Sequence, residues 1–324
     1  MSRMLLPIAL FSALIAGITL AEVPRVATDI APVHSLVARV MGGVGKPDLI
    51  VQPGGSPHEY SLRPSEAEAL QKADLVFWIS RDLTPWLASA IENLATNALV
   101  IELLEADGTI ELEIREGALF EIHKHGEDEH ESDEHAHHTG DDLYAEEEAG
   151  HDDHGAHDPH AWLSPQNATA WLDVIASQLS TTDPENSSTY FANAAAGRAE
   201  IDTLITNINV MLEPVRGGQF IVFHDAYQYF ESTFEFTAAG AILISDASDP
   251  SPARISKIRA RITDEGIDCV LAEPQFNAGL IATVLDGTEA KIGILDPLGS
   301  HLAPGAALYS QLIHDLASSL VECM

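Results

Sequence analysis

Three histidines stand in turn-forming segments, two of them after short apolar runs and one after a long charged stretch. His58 lies in Gln52-Pro-Gly-Gly-Ser-Pro-His58-Glu-Tyr-Ser-Leu-Arg-Pro64. His160 lies in His157-Asp-Pro-His160-Ala-Trp-Leu-Ser-Pro165, and His224 follows Gln219-Phe-Ile-Val-Phe223. Asp296 has the same setting after Lys291–Leu295. A neutral imidazole offers one ring nitrogen to a divalent cation, and three of them with one oxygen make a tetrahedral zinc site. Manganese draws more carboxylate. A lone histidine at a strand end is more often a satisfied hydrogen-bonding group than a ligand. The weight comes from all four positions together and from the segment in front of His160.

That segment, residues 121–158, holds nine of the fifteen histidines, fifteen Asp or Glu and one lysine. No packed core accepts that composition, so it reads as a disordered, solvated loop. Its mixed imidazoles and carboxylates suit Zn²⁺ and its neighbours. Holding an ion there would cost ordering entropy, so the loop should bind more weakly than a preformed site. It reads as a collector or sensor of metal; the alternative is an acidic solubilising stretch. His151, His154, His157 and His160 recur every three residues. His160 is the structural candidate because the stiff Trp-Leu-Ser-Pro context follows it, with His157 as the fallback.

The elements that must position these residues alternate. Apolar runs of strand length at 23–29, 49–52, 75–80 and 98–103 are separated by helix-like segments at 32–41, 64–73 and 84–95. The second half repeats the pattern, with strands at 220–223, 241–245, 269–273 and 291–295 and helices near 226–234, 251–265, 278–285 and 305–320. Such alternation predicts an α/β protein of two lobes, each about four βα units around a parallel sheet. Ligands in such sheets gather beyond the carboxyl ends of the strands, where His58, His160, His224 and Asp296 lie. Between the halves, residues 184–213 carry apolar side chains at helical spacing, bracketed by Pro184 and Pro214. About 28 residues at about 1.5 Å each reach roughly 42 Å, enough for a rigid strut between lobes rather than one more covering helix.

Composition narrows the function. The 324-residue chain is 46% apolar with a formal charge of −34, which excludes nucleic acid and anionic membranes as natural partners and favours cations. Residues 1–21 read as an export signal: Arg3, the apolar Leu5–Leu20, and a small-residue cleavage site before Glu22. Pro7 and Gly17 argue against a membrane anchor in that stretch. The expected product is periplasmic and not inserted in the membrane, with an N-terminal lobe at 22–183, the strut at 184–213 and a C-terminal lobe at 214–324. In an oxidising compartment the only two cysteines, Cys269 and Cys323, are expected to pair rather than bind metal. Asp225 and Glu273 are placed to orient imidazoles, though Asp225 could equally cap the helix that follows it.

The residues also resemble a known family, the periplasmic zinc-binding receptors of ABC transporters. The likeness rests on Pro-Gly-x-Ser-x-His58 with Leu-Arg-Pro64-Ser65, His160-Ala-Trp-Leu-Ser-Pro, Phe-His224-Asp-Ala-Tyr, Ala272-Glu-Pro-Gln-Phe276, Leu295-Asp-Pro-Leu-Gly and the histidine-rich insertion. It implies metal in the cleft between lobes, with His58 and His160 from the first lobe and His224 from the second. It also implies Asp296 or water as the fourth ligand, the late disulfide, and a monomer that hands zinc to a membrane permease. Manganese-binding relatives place a carboxylate where this chain has His224. The family's variant ligand, a Glu just before the first histidine, is replaced here by Pro57. Two readings compete with transport. One is a periplasmic zinc chaperone or buffer. The other is a zinc hydrolase, against which stands the absence of a His-Glu-x-x-His pattern.

Overall fold

The computed structural model describes residues 23–115, 120, 157–243, 250–275 and 278–324. The expected export signal and nearly all of the acidic histidine segment lie outside the described residues. Within them the chain builds two four-stranded sheets in which every pair is parallel. The first has the order β2-β1-β3-β4, from β1 (Val26–Thr28), β2 (Asp48–Leu49), β3 (Leu75–Trp78) and β4 (Leu99–Glu102). The second has the order β6-β5-β7-β8, from β5 (Phe220–His224), β6 (Gly240–Leu243), β7 (Cys269–Ala272) and β8 (Lys291–Ile294). The two orders are the same, so β1 and β5 each sit inside their sheet, beside the point where the winding reverses. That is where doubly wound sheets open their binding crevice.

Helices α1 (Ala31–Val40), α2 (Pro64–Lys72), α3 (Pro85–Leu94) and α4 (Pro165–Thr182) serve the first sheet. Sequence patterning missed α4, whose start is nonetheless local: Ser164 accepts the Asn167 N–H at 3.2 Å and Pro165 opens the first turn. The acidic histidine segment is therefore an insertion between β4 and the helix that completes its βα unit. The long helix α5 (Ser187–Leu212) has 26 residues, about 39 Å, inside the stretch expected to be the strut. It packs on α1 and α4 from one lobe and on α9 (Leu308–Cys323) from the other. Gly197 permits the close approach to α4, since a Cβ there would lie 2.9 Å from Leu172 Cδ1. Helices α6 (Gln228–Phe234), α7 (Pro252–Glu265) and α8 (Ala278–Leu285) complete the second lobe.

Each sheet buries a private core on one face, Ile50, Val76 and Leu87 in one lobe and Ile221, Ile258 and Val270 in the other. The inner faces share a single continuous core through α5, running from Val26 and Trp171 to Leu271 and Leu316. Hydrogen bonds cross between lobes as well. The Trp162 indole donates to the Pro297 carbonyl at 2.8 Å, and the Tyr309 hydroxyl donates to the Trp162 carbonyl at 3.0 Å. A shared core of this kind limits the lobes to small displacements. Cys269 and Cys323 form the expected disulfide, tying α9 to β7 with Cα atoms 5.8 Å apart. Among the described residues no helix is long and apolar enough to cross a membrane.

Candidate metal centre

The three histidines arrive by different routes. His224 is the last residue of β5 and is buried. His160 is also buried, at the start of the 3₁₀ turn Ala161–Leu163 that leads into α4. His58 sits half-buried on the loop between β2 and α2. That loop is braced from beneath: the Trp86 indole donates to the Pro57 carbonyl at 2.7 Å, and the Tyr60 hydroxyl donates to the buried Glu66 at 2.8 Å. His58 and His160 belong to the first lobe and His224 to the second, so the site spans both.

The His224 ring meets the other two edge-on and the His58 and His160 rings are tilted, with centroids 5.5 Å apart for His58 and His160, 6.4 Å for His58 and His224, and 5.2 Å for His160 and His224. One nitrogen from each lies within 4.8 Å of the other two, and among the described residues this is the group able to hold a metal ion. The nitrogens of a tetrahedral zinc site stand about 3.3 Å apart, so an ion would draw the rings in by on the order of 1 Å. The cavity they line, closed by Trp162, Pro297 and Leu298, measures about 20 Å³. That is close to what one water or one ion needs.

Two carboxylates fix which nitrogens face that cavity. His160 Nδ1 is 2.7 Å from Asp158 Oδ1, which also accepts the His160 backbone N–H at 2.9 Å. His224 Nδ1 is 2.5 Å from Glu273 Oε1. A carboxylate only accepts, so each Nδ1 carries the proton and each Nε2 keeps its lone pair for a cation. Both acids are buried. Burial pushes the Asp158 carboxyl up to about 7, against the His160 backbone N–H and the positive charge of Arg115. Its backbone is held too: the Tyr229 hydroxyl donates to the Asp158 carbonyl at 2.9 Å, and the Asp158 N–H donates to Leu112 at 2.7 Å.

The other expectations divide. Glu273 orients His224, as anticipated. Asp158 was missed, because one more acid at the end of an acidic run carries no distinguishing mark in sequence. His157, the fallback ligand, lies apart: its Nε2 is 3.2 Å from Glu111, and it bridges to Glu113 at the base of the insertion. Asp225 neither orients an imidazole nor caps α6. It is ion-paired to Arg115, whose guanidinium also donates to Glu231 at 2.7 Å. Burial raises both carboxyls while Arg115 opposes it; for Arg115, burial would disfavour the charge, but the two acids outweigh it. Asp296, expected as an oxygen ligand, is not brought into the group. Its Oδ1 accepts from Leu298 N–H at 3.0 Å and from Gln275 Nε2 at 3.2 Å, and its Oδ2 from the Ser300 N–H at 2.7 Å and hydroxyl at 2.6 Å.

Residues 26–323 match the family model described as zinc-uptake complex component A, periplasmic. The chain is similar to the high-affinity zinc uptake system protein ZnuA of Brucella abortus, 45% identical over 92% of this chain and 91% of that one. It is similar to the protein of the same name in Paracoccus denitrificans, 42% identical over 94% and 93%. In fold it resembles the crystal structure of ZnuA, with a TM-score of 0.72 at 21% identity over 93% of this chain and 99% of that one. It also resembles the Streptococcus pneumoniae AdcAII protein, with a TM-score of 0.71 at 21% identity over 94% and 100%.

Proposed function

The chain belongs to the family of periplasmic zinc-uptake complex component A proteins, and we propose that it captures Zn²⁺ between its lobes and delivers it to the permease of an ABC transporter. His58, His160 and His224 are the protein ligands. Water completes the tetrahedron, since both oxygens of Asp296 are already engaged by backbone and side-chain donors. The observation that carries this reading is the convergence of three imidazole nitrogens from both lobes within 4.8 Å of one another. A cavity of about 20 Å³ is of the size that one ion or one water needs, which favours ion capture over the hydrolase reading.

Capture then follows from the geometry. Asp158 and Glu273 hold the His160 and His224 rings before the ion arrives, so little ordering of those two ligands is left to be done on binding. The shared core around α5 restricts closure to drawing the rings together and tightening the His58 loop, rather than a wide hinge swing. His224 comes from a different lobe than His58 and His160, so loading the ion strengthens the contact between lobes, and the permease can read that change. After the acidic histidine insertion the described residues resume at His157, three residues from a ligand. The insertion collects zinc near the entrance and passes it inward.

The test is growth under zinc chelation. Cells lacking the protein should fail, the wild-type gene should restore growth, and an equally expressed His224→Ala copy should not. Unimpaired growth of the deletion strain would leave a zinc buffer and refute delivery. Deleting residues 121–156 should lower the number of zinc ions bound in calorimetry without abolishing the tight site. Unchanged stoichiometry would remove the collecting role.

A further inference from the structure

The cavity lined by the three histidines is also lined by Gln275, which has no task in the reading above. Its Nε2 donates to Asp296 Oδ1 at 3.2 Å. A carboxylate only accepts, so the nitrogen limb of the amide must face Asp296, and the planar fork turns the oxygen limb away from it. Asp296 cannot swing to follow, because the Leu298 and Ser300 donors hold both of its oxygens. Among the described residues the buried Gln275 Oε1 accepts no hydrogen bond. A buried acceptor without a donor is unfavourable. In a cavity built for a cation, the missing donor is one that arrives with the ion.

We propose that Gln275 is a positioning residue for the fourth coordination position: its Oε1 accepts a hydrogen bond from the water on the bound divalent cation, and Asp296 holds the amide in place from behind. This rests on the zinc reading and deepens it. Asp296 thereby acts on the metal through Gln275 rather than by touching it. The neutral amide also sets specificity. It supports a water without entering the shell, and so keeps three imidazoles and one oxygen around the ion. A carboxylate there would supply the hard oxygen ligand that Mn²⁺ favours.

The test uses the full mature chain with Gln275→Ala and the volume-conserving Gln275→Glu. Zn²⁺ and Mn²⁺ affinities are read by chelator competition, and the Co²⁺-loaded protein by proton electron–nuclear double resonance in H₂O and D₂O. Wild type should show exchangeable water protons on Co²⁺. Gln275→Ala should bind Zn²⁺ about tenfold more weakly, the lower end of what loss of a supporting group costs, with the apo melting temperature unchanged. Gln275→Glu should lose the water signal and gain at least about tenfold in Mn²⁺ affinity, as a hard ligand enters. Zinc affinity within twofold of wild type in Gln275→Ala, with an unchanged water signal, would overturn the proposal. So would a wild type that lacks bound water and gains it in Gln275→Ala, which would mean the amide ligates directly. A His224→Ala control separates the two levels: if it keeps wild-type zinc affinity, the metal-site reading itself has failed.

Discussion

Asp158→Asn tests whether the carboxylate behind His160 contributes to zinc affinity or only to the fold. The substitution preserves shape and an acceptor oxygen but removes the charge. With Asp158 Oδ1 2.7 Å from His160 Nδ1, the carboxylate would sit about 6.5 Å from an ion on Nε2, given imidazole dimensions and a Zn–N bond of about 2 Å. A full charge at that range from a divalent ion, at an effective dielectric of about 20, is worth about 5 kcal/mol. Two features of the site reduce that figure. Burial holds the Asp158 carboxyl at about 7 in the metal-free protein, so near neutrality zinc must first displace a proton from a fraction of the molecules. The Arg115 guanidinium already balances part of the charge. The expected loss is therefore about 10–100-fold in affinity, or roughly 1.4–2.7 kcal/mol. Chelator competition at pH 7.5 and fixed ionic strength measures it, with the apo melting curve as a control for folding. An affinity within twofold of wild type would refute the claim that this carboxylate tunes the ligand.

Arg115→Met leaves Asp225 and Glu231 buried without their shared cation, and should cost about 3–5 kcal/mol in urea unfolding; a loss under 1 kcal/mol would deny the pairing its importance. Replacing both Cys269 and Cys323 by serine opens a bridge spanning 54 residues, and chain entropy sets the loss at about 4 kcal/mol. Zinc affinity should be unchanged, because the bond lies away from the histidines. Asp29, fully buried and accepting the Ile30 and Ile79 N–H groups, is raised to about 7 chiefly by burial. A carboxyl lifted in this way binds more protons folded than unfolded, so its ionisation removes stability as pH climbs from about 4 to 7. The unfolding free energy of Asp29→Asn minus wild type should thus rise over that range, approaching about 1.4 kcal/mol per pH unit; a flat difference would contradict it.

Much of the fold was legible because parallel sheets covered on both faces leave continuous apolar runs, and all eight strands fall at or within a residue of the runs that anticipate them. The helix α4 was not, since its start abuts the charged insertion and its apolar face was never separated from the motif around His160. Three of the four site residues converge as their loop and strand-end settings imply. Glu273 was legible for the same reason, being the residue after β7. Asp158 was hidden among fourteen neighbouring acids, and its use depends on the tight turn that folds it back on His160. Arg115 and Asp225 are 110 residues apart, and no local pattern announces such a pair. For Asp296 the sequence reveals a carboxylate at a strand end, but not that Leu298, Ser300 and Gln275 wrap both of its oxygens.

The central claim is that imidazoles from both lobes grip one ion. An anomalous difference map from crystals of the mature protein loaded with one equivalent of zinc tests it directly. The account requires a single strong peak about 2.0–2.1 Å from one nitrogen each of His58, His160 and His224. A principal peak that leaves out any of the three, or that rests on the histidines of the insertion instead, would contradict it.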